Sequence, residues 1–558
     1  MNGAGEGLRA DAALHRGAPA FPSADRAIAA QPSPRPAGAV DILFVNPPAP
    51  DRGIWIRSHR RSREGMIWPQ GSLAQLAALF PDYAVEIIYA IVARMTWAHF
   101  ERLLDAKRPR YYVTQVTAPT LQNDMYGVFL AKARGATTIT FGTHVTPLPE
   151  ATMHAFPALD HVLRGEPELT LREHVDALDG QDDPGGPADP SSHTPWPGLA
   201  PAFRQRLSAL FAAADPGWRP LPRGCSTGED GGRADLLSRI KGLVWRRGGR
   251  VVINADRPLI ADLDALPLPR HDLLPLHRYR APLVRGPYAF VVTSRGCPGG
   301  CRFCIKHVSY GRAVRYRSPA SVLEEVERLV ALRMRSIHMY ADLFTVQREH
   351  VVGICDGIVA RGLNVRWTCN SRVDMVDEDL LRRMRRAGCW MISWGIESGD
   401  EGMLRRMHKG TTVAQVERAI DWSRGAGIKN WGYFVIGLPG ETEESIRKTI
   451  DLAKRLPLDL ALFHIAAPHP GTPFFCEVIE NGWFRPNTRW EDVDMDRSTV
   501  LDYTNLRVED LERWARRAFR EWALRPRPLA TYVQMLFTSP SLLRSAVDIG
   551  LESLGWAR

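Results

Sequence analysis

Ala289-Phe290-Val291-Val292-Thr293-Ser294-Arg295-Gly296-Cys297-Pro298-Gly299-Gly300-Cys301-Arg302-Phe303-Cys304 joins a strand-like apolar run to a loop of three cysteines spaced C-x3-C-x2-C. Three thiolates on one loop can wrap around three irons of a [4Fe-4S] cluster, and the glycines let the backbone fold closely against it. The fourth iron then has no cysteine, which leaves a coordination site for a substrate or cofactor. Two other uses of such a loop fit less well. A structural zinc site is closed by four ligands, usually in paired C-x2-C or His spacings, and the nearby fourth ligand on offer is His307. An electron-carrier cluster needs a fourth cysteine, whereas Cys225, Cys355, Cys369, Cys389 and Cys476 are remote singletons.

Outward from the loop the chain repeats a β-then-α pattern. Downstream runs Ser336–Ala341, Val365–Cys369, Trp390–Trp394, Asn430–Ile436 and Leu460–Ala467 alternate with helical stretches. Val322, Val326, Leu329 and Val330 keep a 3.6 period after Ser318-Pro319, a cap-and-proline start, and Thr412 with Gln415 has capping-box spacing. Six βα units are two short of an eightfold barrel, so a partial (β/α)6 TIM-like barrel is expected over 284–500, with chemistry at the strand carboxyl ends.

Upstream, Ile42–Val45, Val85–Tyr89, Tyr111–Val116, Thr137–Phe141 and His161–Leu163 alternate with segments such as Ser72–Phe80 and Asp124–Ala133. Five such units predict a doubly wound parallel sheet, Rossmann- or flavodoxin-like, over 39–178, so the fold class is α/β throughout. Residues 1–38, rich in Ala, Pro, Gly and Arg, lack hydrophobic periodicity and are expected to have no fixed fold. Gly/Pro/Asp-rich stretches mark 179–240 as a mobile insertion around one helix near Phe203–Ala213, with 241–283 an interdomain connector. The region 501–558 is expected to be helical, with Leu511, Trp514, Phe519 and Trp522 on an amphipathic face. Its plainer use is packing, ahead of a weak membrane-surface contact.

The cysteine spacing, with an aromatic before the last cysteine and a strand before the first, resembles the radical S-adenosyl-L-methionine (SAM) superfamily. That resemblance implies that SAM chelates the open iron through its amino and carboxylate groups. An electron delivered to the cluster then breaks the sulfonium bond to give a 5′-deoxyadenosyl radical. The resemblance also implies roles at later strand ends. Asp342, in Tyr340-Ala341-Asp342-Leu343-Phe344-Thr345, matches the segment lining the SAM amino group, and Arg372, in Cys369-Asn370-Ser371-Arg372, would pair with its carboxylate. Glu397, in Gly395-Ile396-Glu397-Ser398-Gly399, would accept from the ribose hydroxyls, and Gly437, opening Gly437-Leu438-Pro439-Gly440-Glu441-Thr442, would approach the adenine. Tyr310 either faces substrate or packs the barrel.

A doubly wound domain ahead of such a barrel is similar to the cobalamin (B12)-binding subclass of that family. The echoes are Asn46-Pro47-Pro48, Trp68-Pro69-Gln70-Gly71, Thr117-Ala118-Pro119, Gly142-Thr143-His144 and Arg164-Gly165-Glu166-Pro167-Glu168, at strand ends or the next helix. From them, Asn46, Pro47, Thr117, Gly142, Thr143, Gly165 and Glu166 are the candidate cobalamin contacts. No D-x-H-x-x-G motif follows the first strand, so a bound corrinoid is expected to lack that histidine on its lower face.

Ala466–Pro473 and Glu480–Trp483 most resemble the branch that holds hopanoid-modifying proteins and the anaerobic Mg-protoporphyrin IX monomethyl ester cyclases. The implied enzyme functionalises an unactivated carbon of a small metabolite, lipid or tetrapyrrole, by methylation or by ring chemistry without methyl transfer. It would draw on an external electron donor such as flavodoxin or ferredoxin.

At 558 residues the chain favours two globular parts plus extra segments. The net charge of +10 is scattered over helices, as at Arg382, Arg383, Arg385 and Arg386, so no nucleic-acid partner is expected. An RNA methylthiotransferase would need three more cluster cysteines near its start, and residues 1–224 contain none. With no apolar run of the ~20 residues that a membrane helix needs, no secretion signal and unpaired cysteines, a cytoplasmic, reducing setting is expected.

Overall fold

The computed structural model describes residues 39–49, 70–179, 200–214 and 231–538, apart from 280, 282, 285, 494 and 496–498. The expectations for residues 1–38, for Trp68 and Pro69, for Cys225, for most of the 179–240 insertion and for the chain beyond 538 lie outside these described residues.

The first sheet is built from β1 (Ile42–Asn46), β2 (Val85–Tyr89), β3 (Tyr111–Gln115), β4 (Thr137–Phe141), β5 (His161–Leu163), β6 (Leu243–Arg247) and β7 (Arg250–Ile253). Its order is β2-β1-β3-β4-β5-β6-β7. β1 runs Ile-Leu-Phe-Val before Asn46 with every residue buried, as a strand covered by helices on both faces requires. The first five strands are parallel. The chain steps to opposite sides of β1 to place β2 and β3, so the winding reverses there and opens a crevice at the strand carboxyl ends.

The sheet has two strands more than the sequence pattern suggested. Residues 241–283, read as a connector, instead begin with an antiparallel hairpin, β6–β7, that extends the β5 edge. Gly248 and Gly249 at its tip both have positive φ (54° and 80°), which is what a two-residue hairpin turn demands. Within 179–240, helices Pro201–Ala214 and Gly231–Arg239 are described.

The second sheet comprises β8 (Tyr288–Val292), β11 (Ser336–Tyr340), β12 (Arg366–Ser371), β13 (Cys389–Glu397), β14 (Lys429–Ile436) and β15 (Leu460–Ile465), all parallel and each laid beside its predecessor. β9 (Ser294–Arg295) and β10 (Arg315–Tyr316) form a separate two-residue antiparallel ladder that brackets the cysteine loop, a feature too short to leave a sequence pattern.

The expected helix starts are present. Ser318 Oγ accepts from Ser321 N ahead of helix Pro319–Ala331, and Thr412 forms a capping box with Gln415 ahead of Val413–Gly425. Helix Val508–Ala523 buries Leu511, Trp514 and Trp522 and packs on β14 and β15, the packing use read from its pattern.

Residues 254–283 strap the halves together. Pro267 O accepts from Gln75 Nε2 (2.8 Å), Arg270 N donates to Ala74 O (3.0 Å), and His271 Nε2 lies 2.7 Å from Glu325 Oε1 in the barrel. Among the described residues no helix is long and apolar enough to cross a membrane.

Candidate active site

The cysteine loop leaves β8 through Gly296, whose φ of 92° suits glycine and whose missing Cβ would stand 2.2 Å from Ala313 O. Gly296 N donates to Asp342 Oδ2 (2.8 Å), and the buried Asp342 side chain also pairs with Lys306 Nζ (3.1 Å), which in turn bonds the Tyr340 hydroxyl. Asp342 thus ties the base of the loop from the end of β11.

Cys297, Cys301 and Cys304 are half-buried. The point where Gly299 would carry a Cβ lies 3.4 Å from Cys297 Sγ, 3.9 Å from Cys301 Sγ and 3.5 Å from Arg372 Nη1, so two sulfurs and a guanidinium converge there. Burial pushes the Cys301 thiol above its ordinary range, and pushes Cys304 up to about 11 although the Lys306 backbone and ammonium pull it back. Such thiols stay protonated until a metal centre displaces the proton.

Arg372 gives Nε and Nη2 to Asp374 (2.9 and 2.8 Å) and points Nη1 at Cys301 Sγ (4.0 Å), so one arm of its fork faces the loop. Glu397, buried at the end of β13 with φ of 67°, accepts from Lys409 Nζ at 2.7 Å. Burial would lower the Lys409 ammonium, but Glu397 and Cys301 hold it above its usual range. The turn carrying Lys409 is fixed to the cysteine loop by Arg302 N donating to Met407 O (3.1 Å). Gly437, with φ of 92°, donates its N–H to the Glu441 carboxylate, while its carbonyl accepts from the Tyr503 hydroxyl (2.8 Å).

The carboxyl edge of the first sheet faces this loop. Glu166, after β5, accepts from Arg295 Nη1 (3.0 Å), Arg315 Nη1 (2.8 Å) and Ile260 N (2.7 Å). Arg295 also reaches Glu168 (2.5 Å) and lies over the Tyr310 ring (5.4 Å to its centroid), so Tyr310 packs beneath the loop. After β4, the His144 and Trp490 rings meet edge-on at 5.0 Å. The Cβ that Gly471 lacks would stand 3.0 Å from Val308 and 3.1 Å from Pro147, so three segments close on each other there.

The remaining edge residues line the same side. Asn46 is buried, and Pro48 O accepts from Asn123 Nδ2 (2.9 Å). Pro47 lies against Gly127, 3.4 Å from the Cβ position there. The hydroxyls of Thr117 and Thr120 are 3.0 Å apart, and Thr120 bonds Asp124 (2.6 Å). Gly142 has φ of 129°, and a Cβ would stand 2.4 Å from Val116 O. Thr143 is half-buried, and Gly165 N donates to Thr146 Oγ1 (3.3 Å). Gln70, at the start of helix Gly71–Ala77, is buried, and neither of its amide atoms is hydrogen-bonded among the described residues.

Residues 291–453 match the model of the radical SAM superfamily. An uncharacterized methyltransferase of Pyrococcus horikoshii is 30% identical over 496 residues, covering 88% of this chain and 93% of the relative. The chain belongs to the radical SAM superfamily. The anaerobic magnesium-protoporphyrin IX monomethyl ester cyclase of Cereibacter sphaeroides is 33% identical over 250 residues, 44% of this chain and 40% of that enzyme. In fold, the radical SAM methyltransferase TsrM of Kitasatospora setae, solved with cobalamin and a [4Fe-4S] cluster bound, superposes with a TM-score of 0.55 at 17% identity, covering 79% and 78% of the two chains. The cobalamin-dependent SAM radical enzyme OxsB gives 0.55 at 16% identity over 80% of this chain and 55% of that one.

Within this radical SAM chain the structure gathers Arg372 and Glu397 around the cysteine loop and puts Asp342 beneath it. It places Glu166 in the seam between the two sheets, its carboxylate fully engaged by two arginines and a backbone N–H. Sequence reasoning missed Lys409, which belongs to no motif, along with Arg295, Arg315 and Lys306. Arg295, Lys306 and Arg315 were signalled by their nearness to the loop cysteines, whereas Lys409, far along the chain, carried no such signal.

Proposed function

We propose that this radical SAM protein is a cobalamin-dependent enzyme that functionalises an unactivated carbon of a small metabolite, lipid or tetrapyrrole, with methylation as the outcome. The observation that carries the proposal is the facing of two ligand edges. The base of the cysteine loop is bonded through Arg295 to Glu166 after β5, and Val308, just past the loop, closes with Pro147 after β4 on Gly471, so the two carboxyl edges meet there.

The residues fit the groups this reading requires. Cys297, Cys301 and Cys304 would hold a [4Fe-4S] cluster. Among the described residues Cys355, Cys369 and Cys389 are buried in the barrel core and Cys476 is exposed, so a three-cysteine set with an open iron matches the donors described. Arg372 Nη1 and the Glu397–Lys409 pair would stand beside SAM. On the other edge Asn46, Pro47, Thr117, Gly142, Thr143 and Gly165 would hold cobalamin. The orphaned amide of Gln70 supports that placement, because a buried amide without a partner costs about 1–3 kcal/mol unless a ligand meets it.

When bound, the cluster and SAM supply reductive cleavage to a 5′-deoxyadenosyl radical, and cobalamin supplies a transferable methyl group. The chain's own part is positional. Asp342 and Lys306 brace the loop, Glu166 with Arg295 and Arg315 closes its flank against water, and Arg372 offers an N–H arm to an anionic group.

Ring closure without methyl transfer is the second reading, favoured by the match to the ester cyclase. Anaerobic reconstitution with iron, sulfide and cobalamin, followed by chemical reduction with methyl-labelled SAM, tests both. The expected result is 5′-deoxyadenosine together with label in the product; 5′-deoxyadenosine with an unlabelled product selects ring chemistry. Metal uptake with no SAM cleavage would reduce the loop to a scaffold and overturn the proposal.

A further inference from the structure

Helix Pro526–Thr538 has two unlike sides. Pro528, Thr531 and Met535 are buried and Tyr532 is half-buried, so that side lies against the protein. On the opposite side Leu529 (45% exposed), Val533 (52%) and Phe537 (78%) follow one another at i, i+4 and i+8, with Ala530 and Gln534 exposed beside them. Scattered exposed leucines are ordinary, but a row at helical spacing that ends on a phenylalanine with most of its surface in solvent marks a contact face.

The row is uncharged, and the chain that leads to it is basic. From Arg513 to Thr538 there are six arginines and one carboxylate, Glu521, which accepts from Arg517 (2.7 Å) and Lys454 (3.1 Å). Arg525 and Arg527 are committed to Ala453 O (3.3 Å) and Asp459 (3.4 Å). Arg513, Arg516 and Arg520 are exposed at i, i+3 and i+7 of helix Val508–Ala523, and the same line reaches Leu524 (57% exposed) at i+11, where the chain turns toward the apolar row. Arg513 and Arg516 meet acids of their own helix, Asp510 (2.6 Å) and Glu512 (3.6 Å), in solvent-exposed pairs of the weak kind. Arg520 has no ion pair among the described residues.

A second copy would bring these arginines against themselves, and a row of three side chains falls well short of the roughly 800 Å² per partner that a stable interface buries. A lipid surface with anionic headgroups meets both features, because an apolar row enters the acyl boundary while guanidiniums stay at headgroup level. We infer that helix Pro526–Thr538 docks on an anionic bilayer surface, with Leu529, Val533 and Phe537 entering it and Arg516 and Arg520 meeting the headgroups. Because helix Val508–Ala523 packs on β14 and β15, the docked arm would hold the barrel itself at the bilayer. Such docking is independent of the chemistry proposed above.

The test sediments the full chain with vesicles of equal parts phosphatidylcholine and phosphatidylglycerol, and with vesicles of phosphatidylcholine alone. Wild-type protein should bind the mixed vesicles about tenfold or more tightly than the neutral ones, and the difference should shrink at high salt. Leu529→Asp with Val533→Asp and Phe537→Asp should weaken binding to the mixed vesicles by about tenfold or more, and Arg516→Gln with Arg520→Gln by about fivefold or more. Both variants should keep the wild-type unfolding midpoint, since the side chains are exposed. Absence of wild-type binding to the mixed vesicles would overturn the inference, as would equal binding to the neutral ones or full binding by either variant. A wild-type dimer that the Asp variant loses, with no vesicle binding, would assign the face to a second copy instead. A lowered midpoint in the Asp variant would show that the chain covers the face itself, and would overturn docking equally.

Discussion

Glu166 and Arg295 form a buried ion pair at 3.0 Å that joins the end of β5 in one sheet to the residue two before Cys297 in the other. The pair belongs to a network in which Arg315 and Glu168 balance the remaining charges. Burial alone would push the Glu166 carboxyl up, but Arg295 and Arg315 outweigh it and hold it below the usual range.

Removing that carboxylate should cost stability. Glu166→Gln leaves two buried guanidiniums short of a partner, a loss of about 3–5 kcal/mol. Thermal unfolding should show it, and the variant should also take up less iron on reconstitution because the loop loses its flank. The group's folded pKa is depressed, so its stabilisation is present above the unfolded value of about 4.3 and is lost as pH falls through the lower folded value. The wild-type protein should therefore lose this contribution below about pH 4.3, and the Gln variant should lack that part of the pH dependence. An unchanged unfolding midpoint at pH 7 would show that the seam contributes nothing.

Glu441 behaves in the opposite sense. Burial pushes its carboxyl up to about 8 despite the N–H groups of Gly437 and Leu438 that favour the anion, and its Oε1 is buried without a partner among the described residues. Between about pH 4.3 and about 8 the unfolded chain has released this proton and the folded chain has not, so stability falls as pH rises across that window. Glu441→Gln keeps an acceptor for Gly437 N and removes the penalty. It should stabilise the fold at pH 8 by about 1–3 kcal/mol, read as a higher unfolding midpoint, with little gain at pH 4. A variant equally or less stable at pH 8 would refute the assignment of a raised pKa.

Legibility in the sequence depended on how local each feature is. The strands of both sheets are short apolar runs such as Ile42–Val45 and Asn430–Ile436, and burial on both faces writes itself into such sequences directly. The β6–β7 hairpin is also written there, as Leu243-Val244-Trp245 and Arg250–Ile253 about a Gly-Gly pair, but an antiparallel edge breaks the βα rhythm and so hides among connector residues. The cysteine loop was legible because its three ligands lie within eight residues. Lys409 was not: it meets Glu397 through left-handed backbone at His408 and Gly410 (φ of 55° and 72°), which no spacing announces. Glu166 stands out through its motif, yet its partners Arg295 and Arg315 lie 129 and 149 residues away, a relation that tertiary packing alone creates.

The Glu397–Lys409 pair yields a test that separates holding from folding. Both side chains are buried at the end of β13, beside Cys301. Lys409→Met strands the carboxylate and should destabilise the fold by about 3–5 kcal/mol, whereas Glu397→Gln with Lys409→Met removes both charges and should recover much of that loss. If Glu397 stands beside SAM, the double variant should regain its unfolding midpoint while SAM binding to the reconstituted protein, measured by calorimetry, stays weakened. Recovery of both would confine the pair to a structural role.

The amide of Gln70 makes the sharpest separation of stability from ligand binding. Buried at the ligand edge of the first sheet, with neither amide atom satisfied among the described residues, it costs the empty protein free energy that an apolar side chain of similar size would not. Gln70→Leu should therefore stabilise the cofactor-free protein by about 1–3 kcal/mol in thermal unfolding, a direction opposite to most buried substitutions. If the amide meets a corrinoid, the same change should weaken cobalamin retention, read by the corrinoid absorbance that survives gel filtration after reconstitution. Gain of stability with undiminished cobalamin would place Gln70 away from the corrinoid. Loss of stability would mean that the amide is satisfied in solution, and the strongest structural support for a ligand at this edge would go with it.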